Sequence, residues 1–291
     1  MLPIVAGAAT AVAWAVSVLA SARASRISGS PQTVAGVMLV GVVLVLPVVL
    51  IATPLPATLA DPAETLLLAA LAGAANVGGL LLTYAAYRVG AVGIVATIGS
   101  TEGAIAAVIS VLAGQTLAPG SGLVLGLVAI GVVLAATSGG NEREEGAVID
   151  RARSLRAAGL ATGAACAFGF GLFMTGHVSA TLPPPWVVLT SRLVGVVLVV
   201  VPLYFTGRLR VSRAALPFVL LTGFVEVVGF TTYAVGAHAD IAITSVLASM
   251  FAPIAAVAAF VLFRERLAPR QVLGIALVVV GIAALGVLAG T

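Results

Sequence analysis

The chain has 291 residues, 61% of them hydrophobic and 8% charged, with a formal net charge of +4 and a mean hydropathy of +1.23. A soluble globular domain carries about 25% charged residues, so that class is excluded. The positive balance rests on 14 arginines and no lysine; most flank apolar stretches, which points to membrane topology and away from nucleic acid.

A bilayer-spanning helix needs roughly 20 consecutive apolar residues. Ten such stretches follow one another, at roughly 2–22, 31–52, 63–87, 91–113, 119–137, 157–179, 184–206, 213–236, 241–263 and 268–289. They lack the alternation of an outer-membrane barrel, so the expected fold is an all-α integral membrane protein with ten transmembrane helices. The first stretch has no basic n-region and is expected to be a retained helix. Cys166 is the single cysteine, so no intrachain disulfide forms. Arginine without lysine in an Ala/Gly/Val-rich chain suggests a bacterial protein from a GC-rich genome, in the cytoplasmic (inner) membrane.

The polar stretch 138–155 separates five predicted helices (1–137) from five more (156–291). The halves repeat. Thr116-Leu117-Ala118-Pro119 matches Arg266-Leu267-Ala268-Pro269 at a spacing of 150, which also puts Gly79 on Gly229, Gly131 on Gly281 and Asn76 on Glu226. Leu39 to Val45 recurs as Leu193 to Val199 at a spacing of 154. An odd number of helices per half predicts that the second repeat is inverted relative to the first, with a site at their interface. Thirteen arginines fall at odd-numbered loops and none at the even loops or termini. The positive-inside rule then predicts both termini outside and the linker cytoplasmic.

Ionisable groups at mid-membrane cost about 2.5–3.5 kcal/mol each and ask for a reason. Glu102 falls near the middle of span four and Glu226 near the middle of span eight. A carboxyl taken out of water is driven toward its proton-bound form. Each therefore either binds protons or a cationic substrate group, or is a neutral carboxyl bonded across a helix interface. Asn76, the repeat mate of Glu226, lines a shared cavity or serves as interhelical glue. Thr97, Ser100 and Thr101 share a face beside Glu102, and Ser249 with Thr244 and Ser245 marks the related span nine. Such residues form a cavity wall or bond their own backbone.

Arg192 either holds a carboxylate or snorkels to an interface, and its place in span seven favours snorkelling. Trp14, too deep for an aromatic belt, lines the cavity or packs against a helix. Tyr84, Tyr87 and Tyr233 lie toward helix ends, where they gate an opening or, as their position favours, anchor in the belt. His177 and His238 fall at helix ends, where they sense pH, His238 as a gating or charge partner, or, as the position favours, hold a water. Nothing has metal-ligand spacing, and a chain without lysine has no P-loop, so no metal and no cofactor are expected. Gly122-xxx-Gly126 and Gly286-xxx-Gly290 suit either a homodimer interface or internal packing.

The run Tyr233 to Ala242, followed by Ser249-Met250-Phe251-Ala252-Pro253-Ile254, Phe263-Arg264-Glu265-Arg266-Leu267, Gln271-Val272-Leu273-Gly274 and Gly281, resembles the EamA family of the drug/metabolite transporter superfamily. The first half matches more weakly, through Tyr84 to Gly93 and Leu117-Ala118-Pro119, with Gly103 where the second half has Pro253. The resemblance implies a cavity lined by spans 1, 3, 4, 6, 8 and 9. It also implies export of small metabolites or drug-like compounds rather than enzymatic activity. With the two carboxyls, the expected partners are protons and a small cationic or zwitterionic substrate, within membrane lipid. The expected mechanism is proton-coupled alternating access. An uncoupled facilitator or exchanger on the same fold is the alternative, and a lipid-modifying membrane enzyme ranks low.

Overall fold

A computed structural model describes residues 1–54, 61–90, 92–116, 119–136, 151–254 and 269–288. The end of the polar stretch is helical; residues 138–150 lie outside the described residues. The elements are α1 (Leu2–Ser28), α2 (Ser30–Ala52), α3 (Pro62–Val89), α4 (Val92–Gly99), α5 (Glu102–Leu112), α6 (Ser121–Ala136), α7 (Arg151–Ser179), α8 (Pro184–Gly195), a π turn (Val196–Val200), α9 (Val201–Phe205), α10 (Leu216–Ala239), α11 (Ile241–Ala248) and α12 (Pro269–Leu288).

Among the described residues, six helical runs are long and apolar enough to cross a bilayer: α1, α2, α3, Leu155–Ser179 of α7, Pro184–Phe205 and α10. The remaining apolar helices are shorter. Two of the ten expected spans are therefore not single rods. Span four breaks at Ser100–Thr101, between α4 and α5, and span nine breaks after α11, at Ser249–Met250. At each break one amide reaches back three residues instead of four, Thr101 N–H to Ile98 O (3.1 Å) and Met250 N–H to Leu247 O (3.1 Å). On the repeat these positions differ by one residue. Pro253 accounts for the second break, since it has no N–H for the Ser249 carbonyl and its ring crowds that turn. In the first half Gly103 takes the proline's place, and the helix restarts at Glu102. Pro202 acts likewise on the seventh span, where the turn just before it widens to a π turn.

Capping is local and readable. Asp61 accepts from Ala63 and Glu64 N–H (both 3.0 Å) ahead of Pro62, starting α3. Asp240 accepts from Ile243 N–H (2.8 Å) and starts α11. Gly29, at φ 95°, turns the chain between α1 and α2 in a conformation a side chain would strain. Large apolar residues face outward along the bundle, among them Val12 and Leu19 on α1, Val43 and Leu50 on α2, and Val279 and Val280 on α12. In water such a surface would aggregate; in lipid it is the matching face.

Helix pairing obeys an exchange between halves. α1 packs on α10, and its counterpart α7 packs on α3; α2 packs on α10, and α8 on α3; α4 packs on α7, and its counterpart α11 on α1. α6 packs on α12, its own repeat mate, and α5 packs on α7 and α11. Close glycine contacts repeat in the same reciprocal way. A Cβ on Gly229 would lie 2.5 Å from the Trp14 ring, and one on Gly79 would lie 2.5 Å from the Phe168 ring. Gly223 meets Val40 and Gly73 meets Val194; Gly195 meets Met38 and Gly41 meets Arg192. In the first two pairs the glycines are offset by 150 and their partners by 154, the two spacings in the sequence. (For Gly41 and Gly195 both partners follow 154.)

Hydrogen bonds also sort the loops. Arg26 Nε donates to Tyr87 O (3.0 Å) and Ser212 N–H to Ser28 Oγ (3.1 Å), so loops 1–2, 3–4 and 7–8, with their arginines, meet at one end. At the other end Trp186 Nε1 donates to Thr53 O (3.0 Å) and Gln115 Nε2 to Asp240 Oδ1 (2.8 Å).

Candidate functional site

A cavity of about 70 Å³ lies among spans 1, 3, 4, 6, 8 and 9. Its wall runs along α1 from Trp14 to Ser21 and along α3 from Asn76 to Tyr87, toward the arginine-bearing end.

The polar groups converge from separate helices. Glu102 enters from the restart of the broken fourth span, Glu226 and Phe230 from α10, Asn76 and Tyr84 from α3, Trp14 and Ser17 from α1. Glu102, Glu226 and Asn76 are 5%, 6% and 3% exposed. Glu226 is well held: Ser17 Oγ donates to its Oε1 (2.8 Å), and Arg192 Nη2 lies 3.7 Å from its Oε2. Asn76 Oδ1 accepts a long bond from Ser191 Oγ (3.5 Å). Glu102 differs: among the described residues it has no hydrogen-bond or ion-pair partner. Aromatic rings form the rest of the wall. Trp14 stacks near Tyr233 (centroids 6.2 Å) and tilts against Phe230 (5.9 Å), and its Nε1 is buried without a partner among the described residues.

Several expected site residues lie elsewhere, and two expectations need correction. Arg192 does not snorkel. It is fully buried behind Glu226, with its guanidinium carbon 5.1 Å from the Phe230 ring centroid and Nη1 3.8 Å from Met38 Sδ. The glycine opposite it, Gly41, leaves room for its stem, and the carboxylate supplies a reason to stay. Tyr84, Tyr87 and Tyr233 are not belt residues: all three are buried, the first two in the cavity wall. Tyr233 sits behind Trp14, donating to Leu172 O (2.9 Å) and sharing a bond with Ser245 Oγ (2.8 Å). His238 Nδ1 pairs with a backbone carbonyl, Ser179 O (2.7 Å). With His177, Gln115 and Asp240 it borders a second, more polar pocket away from the cavity.

The hydroxyl stripe is mainly backbone-directed. Thr101 Oγ1 donates to Ile98 O (2.8 Å), doubling the backbone bond at that helix break, and Ser249 Oγ donates to Val246 O (2.7 Å) beside the other. Ser100 is buried and outside the cavity wall. The side chain of Thr97 lies outside the described residues. Residue-type reasoning passed over Ser17, Phe168 and Phe230. Phe168 had a signal, since the 154 spacing carries Trp14 onto it. Ser17 had none, because serine is common in such helices and only the fold brings it to Glu226.

The model of the EamA-like transporter family matches residues 1–137 and 155–287. One solved crystal structure of a protein aligns with a TM-score of 0.74 over 99% of this chain and 96% of its own, at 16% identity, which shows a shared fold. No functionally curated protein matches the sequence.

Proposed function

The chain belongs to the EamA-like transporter family of integral membrane proteins, and from that premise we propose that it exports small metabolites or drug-like compounds by proton-coupled alternating access. Its two halves, inverted in the membrane, rock about the cavity between them. The substrate carries a positively charged group, cationic or zwitterionic, and the source is a bacterial inner membrane.

One observation carries this reading. Glu102 sits in an aromatic-walled cavity, at a helix break, with no described protein group to neutralise or hydrogen-bond it. A buried carboxyl in that position is satisfied by a proton or by a substrate cation. The two occupants exclude each other at one group, which couples their movements. The break lets the segment bearing Glu102 shift without bending an intact helix.

Counterflow from proteoliposomes preloaded with a mixed metabolite extract, with and without an imposed pH gradient, tests the reading. Gradient-dependent loss of defined compounds, abolished by Glu102→Gln, is the expected result. Loss that ignores the gradient in both proteins means an uncoupled facilitator or exchanger.

A further inference from the structure

Glu226 and Glu102 share one cavity, yet among the described residues only Glu226 has a cation behind it. Arg192 is wholly buried, lies outside the cavity wall, and touches Glu226, Phe230 and Met38. Its contact with Glu226, at 3.7 Å, is an ion pair too long for a good hydrogen bond, and its Nε and Nη2 make no hydrogen bond. The arginine therefore supplies charge to that carboxylate more than it supplies geometry.

The internal repeat provides a control within the same molecule. The repeat mate of Glu226 is Asn76, and the mate of Arg192, at the 154 spacing, is Met38. One half holds an acid and a base at these positions; the other holds a neutral amide and a thioether. Both charges are present together or absent together. With the pair in place, the cavity's acidic groups sum to one uncompensated carboxyl.

We propose that Arg192 sets the valence of the transported cation: by neutralising Glu226 it leaves Glu102 as the single uncompensated carboxyl and restricts the cavity to organic cations of one positive charge. This deepens the cation-binding reading above and rests on it. Arg192 is a positioning residue that acts through Glu226 and has no contact with substrate. An aromatic wall suits an aromatic or apolar body on that cation.

The test uses benzylammonium and p-xylylenediammonium, which share one ring and differ in carrying one or two ammonium groups. Their dissociation constants are measured by calorimetry on the full chain in nanodiscs. The parent protein should favour benzylammonium. Arg192→Met frees Glu226 and should shift the ratio roughly tenfold or more toward the dication, a change within the range for close buried charges. Arg192→Met combined with Glu226→Gln recreates the neutral pair of the first half and should return the parent ratio. A purely structural arginine would lower both affinities together and leave the ratio in place.

Should Arg192→Met not fold, Glu226→Gln alone is compared with the double variant. The single change strands a positive charge beside the cavity and should weaken benzylammonium roughly tenfold, and adding Arg192→Met should restore it. A parent that binds benzylammonium, with an unmoved ratio and no restoration, overturns the role of Arg192 alone. A parent that binds neither ammonium overturns the cation-binding cavity, and this role with it.

Discussion

The two halves of the molecule pack alike and are polar differently. Gly229 seats Trp14 as Gly79 seats Phe168, and Gly223 meets Val40 as Gly73 meets Val194. At the cavity the correspondence stops. Ser17 holds Glu226, whereas its 154-spaced mate Gly171 only approaches the Asn76 backbone. The fourth span restarts with Glu102, whereas Ala252 stands at the equivalent place in the ninth. Small residues at helix crossings decide how the rods fit, and a side chain added there meets a neighbour about 2.5 Å away. Cavity residues face empty space, so sequence drift there costs packing little and changes chemistry a good deal.

The largest expected effect breaks the charged half. Arg192→Leu removes one partner of a buried ion pair and should cost about 3–5 kcal/mol. Its counterpart, Met38→Leu, is a volume-conserving exchange and should cost under about 1.5 kcal/mol. Thermal unfolding of the two variants in detergent compares them directly. Equal losses would mean that Arg192 contributes packing and not charge.

Glu102→Gln should come next in its consequences, and they fall on transport. It replaces a carboxyl by an amide of the same shape at a position where the described residues offer no partner. Gradient-driven transport should fall at least tenfold, about 1.4 kcal/mol or more. Unfolding temperature should hold within a few degrees. A variant that loses stability as well as transport would assign Glu102 a structural bond.

Smaller effects sharpen the likeness. Gly229→Ala and Gly79→Ala each push a methyl group into an aromatic ring and should cost about 1–3 kcal/mol apiece. The two losses should agree within about 0.5 kcal/mol, the tolerance with which separate sites add. A clear inequality would show that one half tolerates repacking.

Much of this was legible in the chain, for identifiable reasons. Hydropathy reports what lipid demands, so most described apolar helices begin and end within about six residues of the expected bounds, the end of span nine lying outside the described residues. The repeat was visible because packing glycines such as Gly79 and Gly229 are constrained by contact. The breaks in spans four and nine were hidden, since Ser, Thr and Gly occur freely in intact membrane helices and composition does not register a carbonyl left without its amide. Arg192 was misplaced because its burial depends on Glu226 and Phe230, which lie 34 and 38 positions further along the chain. Depth along a span does not say which face a residue takes. The tyrosines misled in the same way: Tyr84 and Tyr87 lie near the end of α3 by sequence, but α1 and α7 pack over them.

The smallest expected effect lies on the neutral half, at Asn76. Its amide shares a long 3.5 Å bond with Ser191 and faces the cavity. Bonds between polar side chains in membrane bundles average about 0.6 kcal/mol. Asn76→Leu should therefore cost about that much by unfolding, far less than the loss at Arg192. If Asn76 contacts substrate, transport should weaken by more than the stability change explains. Asn76→Asp is the sharper variant. It places an acid in the first half with Met38 behind it instead of an arginine, so that acid has no compensating charge. Binding of benzylammonium should tighten or hold. A loss of binding equal to that of Asn76→Leu would show that the amide acts as a specific donor, and that the two halves differ here in hydrogen bonding as well as in charge.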